Sequence, residues 1–215
     1  MKNLKQLNGF TLIEITVTMM IITILATLAV STLLQSLPRM RIRSDNWAVY
    51  QAVTKAKYLT INENVPYGVM FMHQGGNAPD VFFIFKDLNT PGVYDDTDGN
   101  PLVQCNPQAT VGMPFYKAGC AEDPIYGDIY QLNSANYFAK VFDTKLVSPG
   151  NKAFITFTNL GSVTQMATIV NNSVLIRNNT IINTSTNTAY SGGVTVDMVS
   201  GAATIIPPAI TLPPT

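Results

Sequence analysis

Between Lys5 and Arg39 the chain carries one charged side chain, Glu14, placed near the head of the apolar run Phe10 to Leu37. As a helix, the 28 residues of that run would extend about 42 Å, more than the roughly 30 Å of a hydrocarbon core. A carboxylate in such a span costs about 2.5 to 3.5 kcal/mol at the helix centre and less near the interface, so a lone Glu there is a functional-site hypothesis by default. Something must neutralise it. The nearest candidate cation is an amine at Phe10, which exists only if the chain is cut after Gly9.

Two plainer readings compete for this segment. An ordinary secretory signal has a shorter apolar region followed by a small-residue cleavage site, whereas the candidate cut here comes before the apolar run. A plain membrane anchor accounts for the length but leaves Glu14 and the leader with Lys2 and Lys5 unexplained.

The combination of a short basic leader ending in Gly9, then Phe10-Thr11-Leu12-Ile13-Glu14 and a long apolar helix, resembles the class III signal of type IV pilins and pseudopilins. The resemblance implies that a prepilin peptidase cuts between Gly9 and Phe10 and methylates the new Phe10 amine. It also implies that Glu14 serves assembly with other pilins or pseudopilins on an inner-membrane platform. Flanking charge does not decide orientation, because Arg39, Arg41 and Arg43 follow the span as Lys2 and Lys5 precede it. The resemblance implies a cytoplasmic leader, a single pass through the inner membrane and a periplasmic head, later part of a periplasmic pseudopilus or an extracellular pilus. The three Arg would then lie at the outer boundary among lipid, where their stems can snorkel.

Beyond the span, Ile42, Val49, Val53, Ala56 and Leu59 or Thr60 recur at helical spacing and predict that the helix continues. It should stop at Asn62-Glu63-Asn64, since Val65-Pro66 disfavours helix. Pro38 is a candidate kink. Within the span, Thr16, Thr23, Thr27 and Ser31 share one face, which suits close helix approach with interhelical hydrogen bonds; hydroxyls bonded to their own helix are the alternative. Ser31 stands where many pilins of the family carry a helix-breaking Pro.

Runs of β-branched and aromatic residues bounded by Gly, Asn and Pro predict antiparallel strands at Tyr67–His73, Asp80–Lys86, Ala153–Thr158, Val163–Val170, Ser173–Arg177, Val194–Val199 and Ala202–Ile206. Asn159-Leu160-Gly161-Ser162 and Ser200-Gly201 supply hairpin turns. The expected fold is α+β and pilin-like: a long N-terminal helix, its first half transmembrane, packed on antiparallel sheet. Its parts are a leader over 1–9, a transmembrane and assembly helix over 10–37, an amphipathic continuation over 38–64, a β-rich head over 65–206 and a loose Pro-rich tail over 207–215. The order of helix, Asn64-Val65-Pro66, strand, Phe82-Phe83-Ile84-Phe85-Lys86-Asp87-Leu88-Asn89, Ala153-Phe154-Ile155-Thr156-Phe157-Thr158-Asn159-Leu160-Gly161 and a terminal glycine hairpin is similar to the GspH/FimT family of minor pseudopilins and pilins. That similarity implies two small sheets beside the helix.

Cys105 and Cys120 have 14 residues between them, in the part that the resemblance places in an oxidising compartment. A disulfide closing loop 105–120 is expected, worth about 3 kcal/mol on the chain-entropy model. A zinc site is disfavoured, because neither Cys has a second Cys nearby and the only His, His73, is distant in sequence. The segment Asp87 to Gly99 partly matches a calcium loop, with Asp87, Asn89, Asp95 and Asp98 as candidate ligands. It departs from the pattern at Pro91 and in having Asp98 where Glu is usual, and a solvated acidic turn is the alternative. No other cofactor is indicated.

From Arg39 onward 11 Lys and Arg face 12 Asp and Glu, and Val194–Thr215 contains neither Lys nor Arg, so nucleic acid is not an expected partner. An enzyme is not expected either. There is one His, no Gly-rich phosphate loop and no Gly-x-Ser-x-Gly elbow, and His73 reads as a surface or half-buried residue at a strand end. Phe82, Phe83 and Phe85 read as core. The expected role is a minor pseudopilin or pilin subunit of a type II secretion or type IV pilus system, with a major pilin, or a surface adhesin or ligand-binding domain on a pilin anchor, as alternatives.

Overall fold

The computed structural model describes residues 10–75, 78–88, 104–105, 116–117, 125–142, 144–146, 151–164, 172–183 and 188–211. The chain divides into two compact units, Met1–Leu37 and Pro38–Thr215. One helix, α1, covers Leu12–Glu63, with Pro38 inside it. Its start has a local cause. Thr11 caps the first turn, its hydroxyl accepting from the Glu14 N–H at 3.3 Å and its carbonyl from the Ile15 N–H at 3.2 Å. Its end is also local, since Asn64 adopts a positive φ of 54° just past the last turn and Val65-Pro66 cannot continue it.

In the first unit, no described side chain from Phe10 to Leu34 is buried. In the second, α1 is two-faced: Ile42, Val49, Ala52, Val53, Ala56, Leu59 and Thr60 are buried, while Arg41, Arg43, Trp47, Gln51, Thr54, Lys55 and Tyr58 are exposed. The predicted stripe is therefore the packing face. Two polar residues the periodicity passed over, Asp45 and Asn46, are buried on it as well.

Among the described residues eleven strands follow: β1 Tyr67–Met72, β2 Val81–Lys86, β3 Gln104–Cys105, β4 Tyr116–Lys117, β5 Ile125–Gln131, β6 Asn136–Val141, β7 Thr144–Lys145, β8 Lys152–Thr156, β9 Ser173–Asn183, β10 Thr188–Val196 and β11 Ala203–Thr211. They form a four-stranded sheet in the order β5-β2-β1-β8, a five-stranded sheet in the order β11-β10-β9-β6-β7, and the short parallel pair β3-β4. Both larger sheets are antiparallel throughout. The α+β architecture, with a long N-terminal helix on antiparallel sheet, is as expected.

The head core lies between the α1 stripe and both sheets. Phe71 on β1, Phe82 on β2 and Phe138 on β6 bring the sheets together, with Phe138 edge-on to Phe71 and Phe82 at 5.3 and 6.1 Å between centroids. Each fully buried Phe contributes about 1.5–3 kcal/mol through apolar burial. Both faces of β1 and β2 are buried: Met70, Phe83 and Phe85 form a second cluster, packed with Ile125, Ile129 and Phe154. That explains why Val81–Phe85 reads as unbroken apolar sequence instead of alternating. At the helix end, Thr60 donates to the Ala56 carbonyl at 2.9 Å and accepts from the Tyr67 N–H at 3.0 Å, tying α1 to β1.

Both predicted turns form. Phe157 and Val163 pair across Asn159–Ser162, where Gly161 has φ 79°, and β10 turns into β11 through Gly201 at φ 63°. A side chain on Gly201 would also collide with the Gly161 carbonyl, so the two turns touch. Only Val163 and Thr164 of the expected strand Val163–Val170 are described, and of these Val163 forms a single bridge, to Phe157.

The loose tail is corrected. Residues 207–211 belong to β11, an edge strand paired to β10, while 212–215 lie outside the described residues. Pro207 and Pro208 fall where the register shifts between Ser191 and Gly193, so no ladder bond is asked of their missing N–H groups. The sequence reading also missed β3 through β7, and it stopped β9 at Arg177 although that strand runs to Asn183.

Candidate functional site

The signal residues sit at the start of α1. Phe10 is 78% exposed just before the helix, and Glu14 is exposed in the first turn, where a carboxylate interacts favourably with the helix dipole. Thr11 and Glu14 have the Ser/Thr-x-x-Glu spacing of a capping box, and the Thr half of that box is formed. Thr11 thereby fixes the helix start at Leu12, two residues after Phe10. Glu14 is presented from a formed helical turn instead of a frayed end. Gly9 lies outside the described residues.

Along this segment the hydroxyls serve their own helix. Thr16 donates to the Ile13 carbonyl at 2.9 Å, Thr23 to Met19 at 2.8 Å and Thr27 to Thr23 at 2.7 Å. Thr18 and Thr32, off the predicted face, do the same. The intrahelical alternative accounts for the described hydroxyls of that face. The apolar side chains are exposed, with Leu12 83%, Met20 67% and Leu25 61% accessible.

Two polar clusters that sequence reasoning did not find lie in the head. Asp45, 4% exposed, accepts from the Asn133 N–H at 3.0 Å, from the Asn133 amide and from the Asn136 amide at 2.6 Å. Asn136 in turn accepts from the Asn178 amide at 2.6 Å, so α1, the β5–β6 turn, β6 and β9 share one network. Burial pushes the Asp45 carboxyl above its ordinary range, against the pull of those N–H donors. The only sequence signal was an acid interrupting an apolar stripe.

The second cluster forms around Asp80, 1% exposed at the start of β2. Its carboxylate accepts from His73 Nδ1 at 2.8 Å, the Gln74 N–H at 3.2 Å and the Phe138 N–H at 2.7 Å. It therefore joins the two sheets. His73 is half-buried, as expected, at the end of β1. A cavity of about 180 Å³ opens beside it, lined in part by Ser134, Asn136, Tyr137 and Asn179. Burial, with Asp80 adding to it, raises the Tyr137 phenol above its ordinary value, while Arg177 opposes that shift.

Of the other expected site residues, Cys105 lies in β3, paired in register with Lys117, and Cys120 lies outside the described residues. Asp87 is buried directly after β2, its N–H donating to the Pro66 carbonyl at 2.9 Å. Asn89, Asp95 and Asp98 lie outside the described residues. Among the described residues, no group of three or more His, Cys, Asp or Glu is placed to hold a metal.

No curated protein and no solved structure matches the chain. Residues 5–30 match the family model of the prokaryotic N-terminal methylation motif, a segment that contains Gly9, Phe10 and Glu14. That match implies processing by a prepilin peptidase and assembly with other pilins, and it coincides with the long apolar helix suited to anchoring in a membrane. The chain thus carries the N-terminal signature of a type IV pilin-like precursor.

Proposed function

We propose that the chain is a minor pilin or pseudopilin of a type IV pilus or type II secretion system, cut after Gly9, methylated on Phe10 and built into a filament through α1. The observation that carries this reading is Glu14: the lone charge between Lys5 and Arg39, exposed in the first turn of an apolar helix whose described side chains are unburied to Leu34. Packed among other helices, that carboxylate requires a cation, and the Phe10 amine of a neighbouring subunit is the group that cleavage creates. Leaving a buried charge without its partner costs about 3–5 kcal/mol, which favours the register that pairs the two. The head folds on its own core and is carried on the periplasmic side. The role is structural instead of enzymatic.

Glu14→Ala tests this. The variant should be cut at Gly9 and inserted in the membrane, yet be lost from sheared filaments; incorporation at the wild-type level overturns the pairing role. The amount of wild-type chain per sheared filament separates a minor from a major subunit. In the same reading Cys105 and Cys120 form a disulfide in the periplasm, and an alkylation adduct on either thiol before reduction would exclude it.

A further inference from the structure

The His73 ring is held from one side. Asp80 takes Nδ1 at 2.8 and 3.0 Å, which leaves Nε2 as the nitrogen for an outside partner. Asp80 also receives two backbone N–H groups, so its oxygens are occupied within the fold. Ser134 comes from the β5–β6 turn, Tyr137 from β6 and Asn179 from β9 to line the same cavity. Among the described residues, the Ser134 hydroxyl, the Tyr137 hydroxyl and the Asn179 side-chain amide make no hydrogen bond to another group of the chain. Separate elements therefore deliver to one small space polar groups that are open to solvent and to a ligand.

The chemistry of that space is selective. The described lining residues include no Lys or Arg, so an anion would approach Asp80 with no countercharge from the wall. A hard cation would find one imidazole and a carboxylate already committed to three donors. A neutral, hydroxyl-rich molecule suits it, because hydroxyl and amide groups can each donate and accept. The rings of His73 and Tyr137, 6.3 Å apart and tilted by 59°, add flat surface for the C–H face of a sugar. At about 180 Å³ the cavity is smaller than the roughly 300–1,000 Å³ of drug-sized pockets, which limits it to a single ring.

We infer that this cavity binds one neutral sugar ring, such as the terminal unit of a glycan, through His73 Nε2, Ser134, Tyr137 and Asn179. The test uses the full chain in lipid nanodiscs, free of sugar-based detergent, with saturation-transfer difference NMR. The probes are galactose, mannose and N-acetylglucosamine, with inorganic phosphate and calcium as comparison ligands. At least one sugar should give a saturable signal at millimolar concentration. Asn179→Ala, on an exposed position, should weaken it by about tenfold or more, the size of effect expected from unpairing a ligand hydroxyl, at an unchanged melting temperature of the head. Ser134→Ala, on an exposed turn, provides the second variant should Asn179→Ala disturb folding. Absence of a saturable signal from all three sugars overturns the inference. So does a sugar signal that both variants leave intact, or displacement of the sugar by phosphate or calcium.

Discussion

The two halves of α1 share one secondary structure and differ in everything that surrounds it. From Phe10 to Leu34 no described side chain is buried, and the hydroxyls of Thr16, Thr23 and Thr27 donate to carbonyls of the preceding turn of the same helix. From Pro38 to Glu63 one face is buried against two sheets, and even its acid, Asp45, has three donors from the chain itself. A helix that is apolar all round obtains its stabilisation from outside the chain, from lipid or from other subunits, whereas an amphipathic helix obtains it from its own fold. The C-terminal half thus contributes to the stability of the head, while the N-terminal half leaves its apolar surface for lipid or for the assembly proposed above.

The most severe way to break this contrast is a matched pair of truncations. Phe138→Ala should cost the head about 3–5 kcal/mol and lower its melting temperature, while Ile22→Ala should leave that temperature unchanged in the full chain. Equal shifts would mean that the two halves are not independent. A smaller loss is expected from Asp45→Ala, about 1–3 kcal/mol, because the Asn136 amide is left buried without its acceptor. That variant should still insert and be processed. A thermal melt of the nanodisc-held chain, with the N-terminus checked by mass spectrometry, reads both outcomes.

Acid should sharpen the contrast within the head. Glu63 is held below its ordinary value by the Tyr67 hydroxyl at 2.5 Å and by Lys86, and Asp197 by the Ser200 N–H at 2.6 Å and hydroxyl at 2.7 Å. Groups shifted down stabilise the fold above their ordinary values of 4.5 and 3.8, and that contribution is lost as pH falls through the lowered ones. Asp45 is shifted up and has the opposite sign, since its protonation on acidification favours the native state. Melting temperatures should therefore drop between about pH 5 and pH 3, less in Asp197→Ala and more steeply in Asp45→Ala. The smallest effect is expected of Thr27→Val, which removes a bond to the Thr23 carbonyl and should leave filament yield unchanged. A fall in yield would show that this hydroxyl serves a neighbouring helix.

Features governed by near neighbours in the chain were legible from the sequence. The helix end at Asn62-Glu63-Asn64, the turns at Gly161 and Gly201 and the packing stripe from Ile42 to Thr60 each depend on residues a few positions apart. The miss at β5 has a matching cause: Ile125-Tyr126-Gly127-Asp128-Ile129 contains Gly and Asp, which read as a turn, yet the segment pairs with the edge of β2 through a register shift. Pro207-Pro208 read as a break because only the pairing with β10 shows that no ladder bond is required there.

The polar clusters were illegible for the same reason at longer range. Asp45 meets donors 88 and 91 residues away, and Asp80 meets the Phe138 N–H across 58. Nothing in the local spacing of an Asp announces such partners. His73 was visible as a half-buried strand-end residue, but its role as the oriented edge of a cavity follows from where β6 and β9 run.

The sequence by itself determined the signature from Gly9 to Glu14, the apolar span behind it and the boundaries of α1, because capping, hydropathy and helical periodicity act over a turn or two. Only the tertiary structure decided that Asp45 and Asp80 are buried and satisfied, that β11 continues through two prolines, and that His73, Ser134, Tyr137 and Asn179 face one cavity. Those outcomes depend on strand order and register, and these are set by which apolar faces bury against each other across the whole chain.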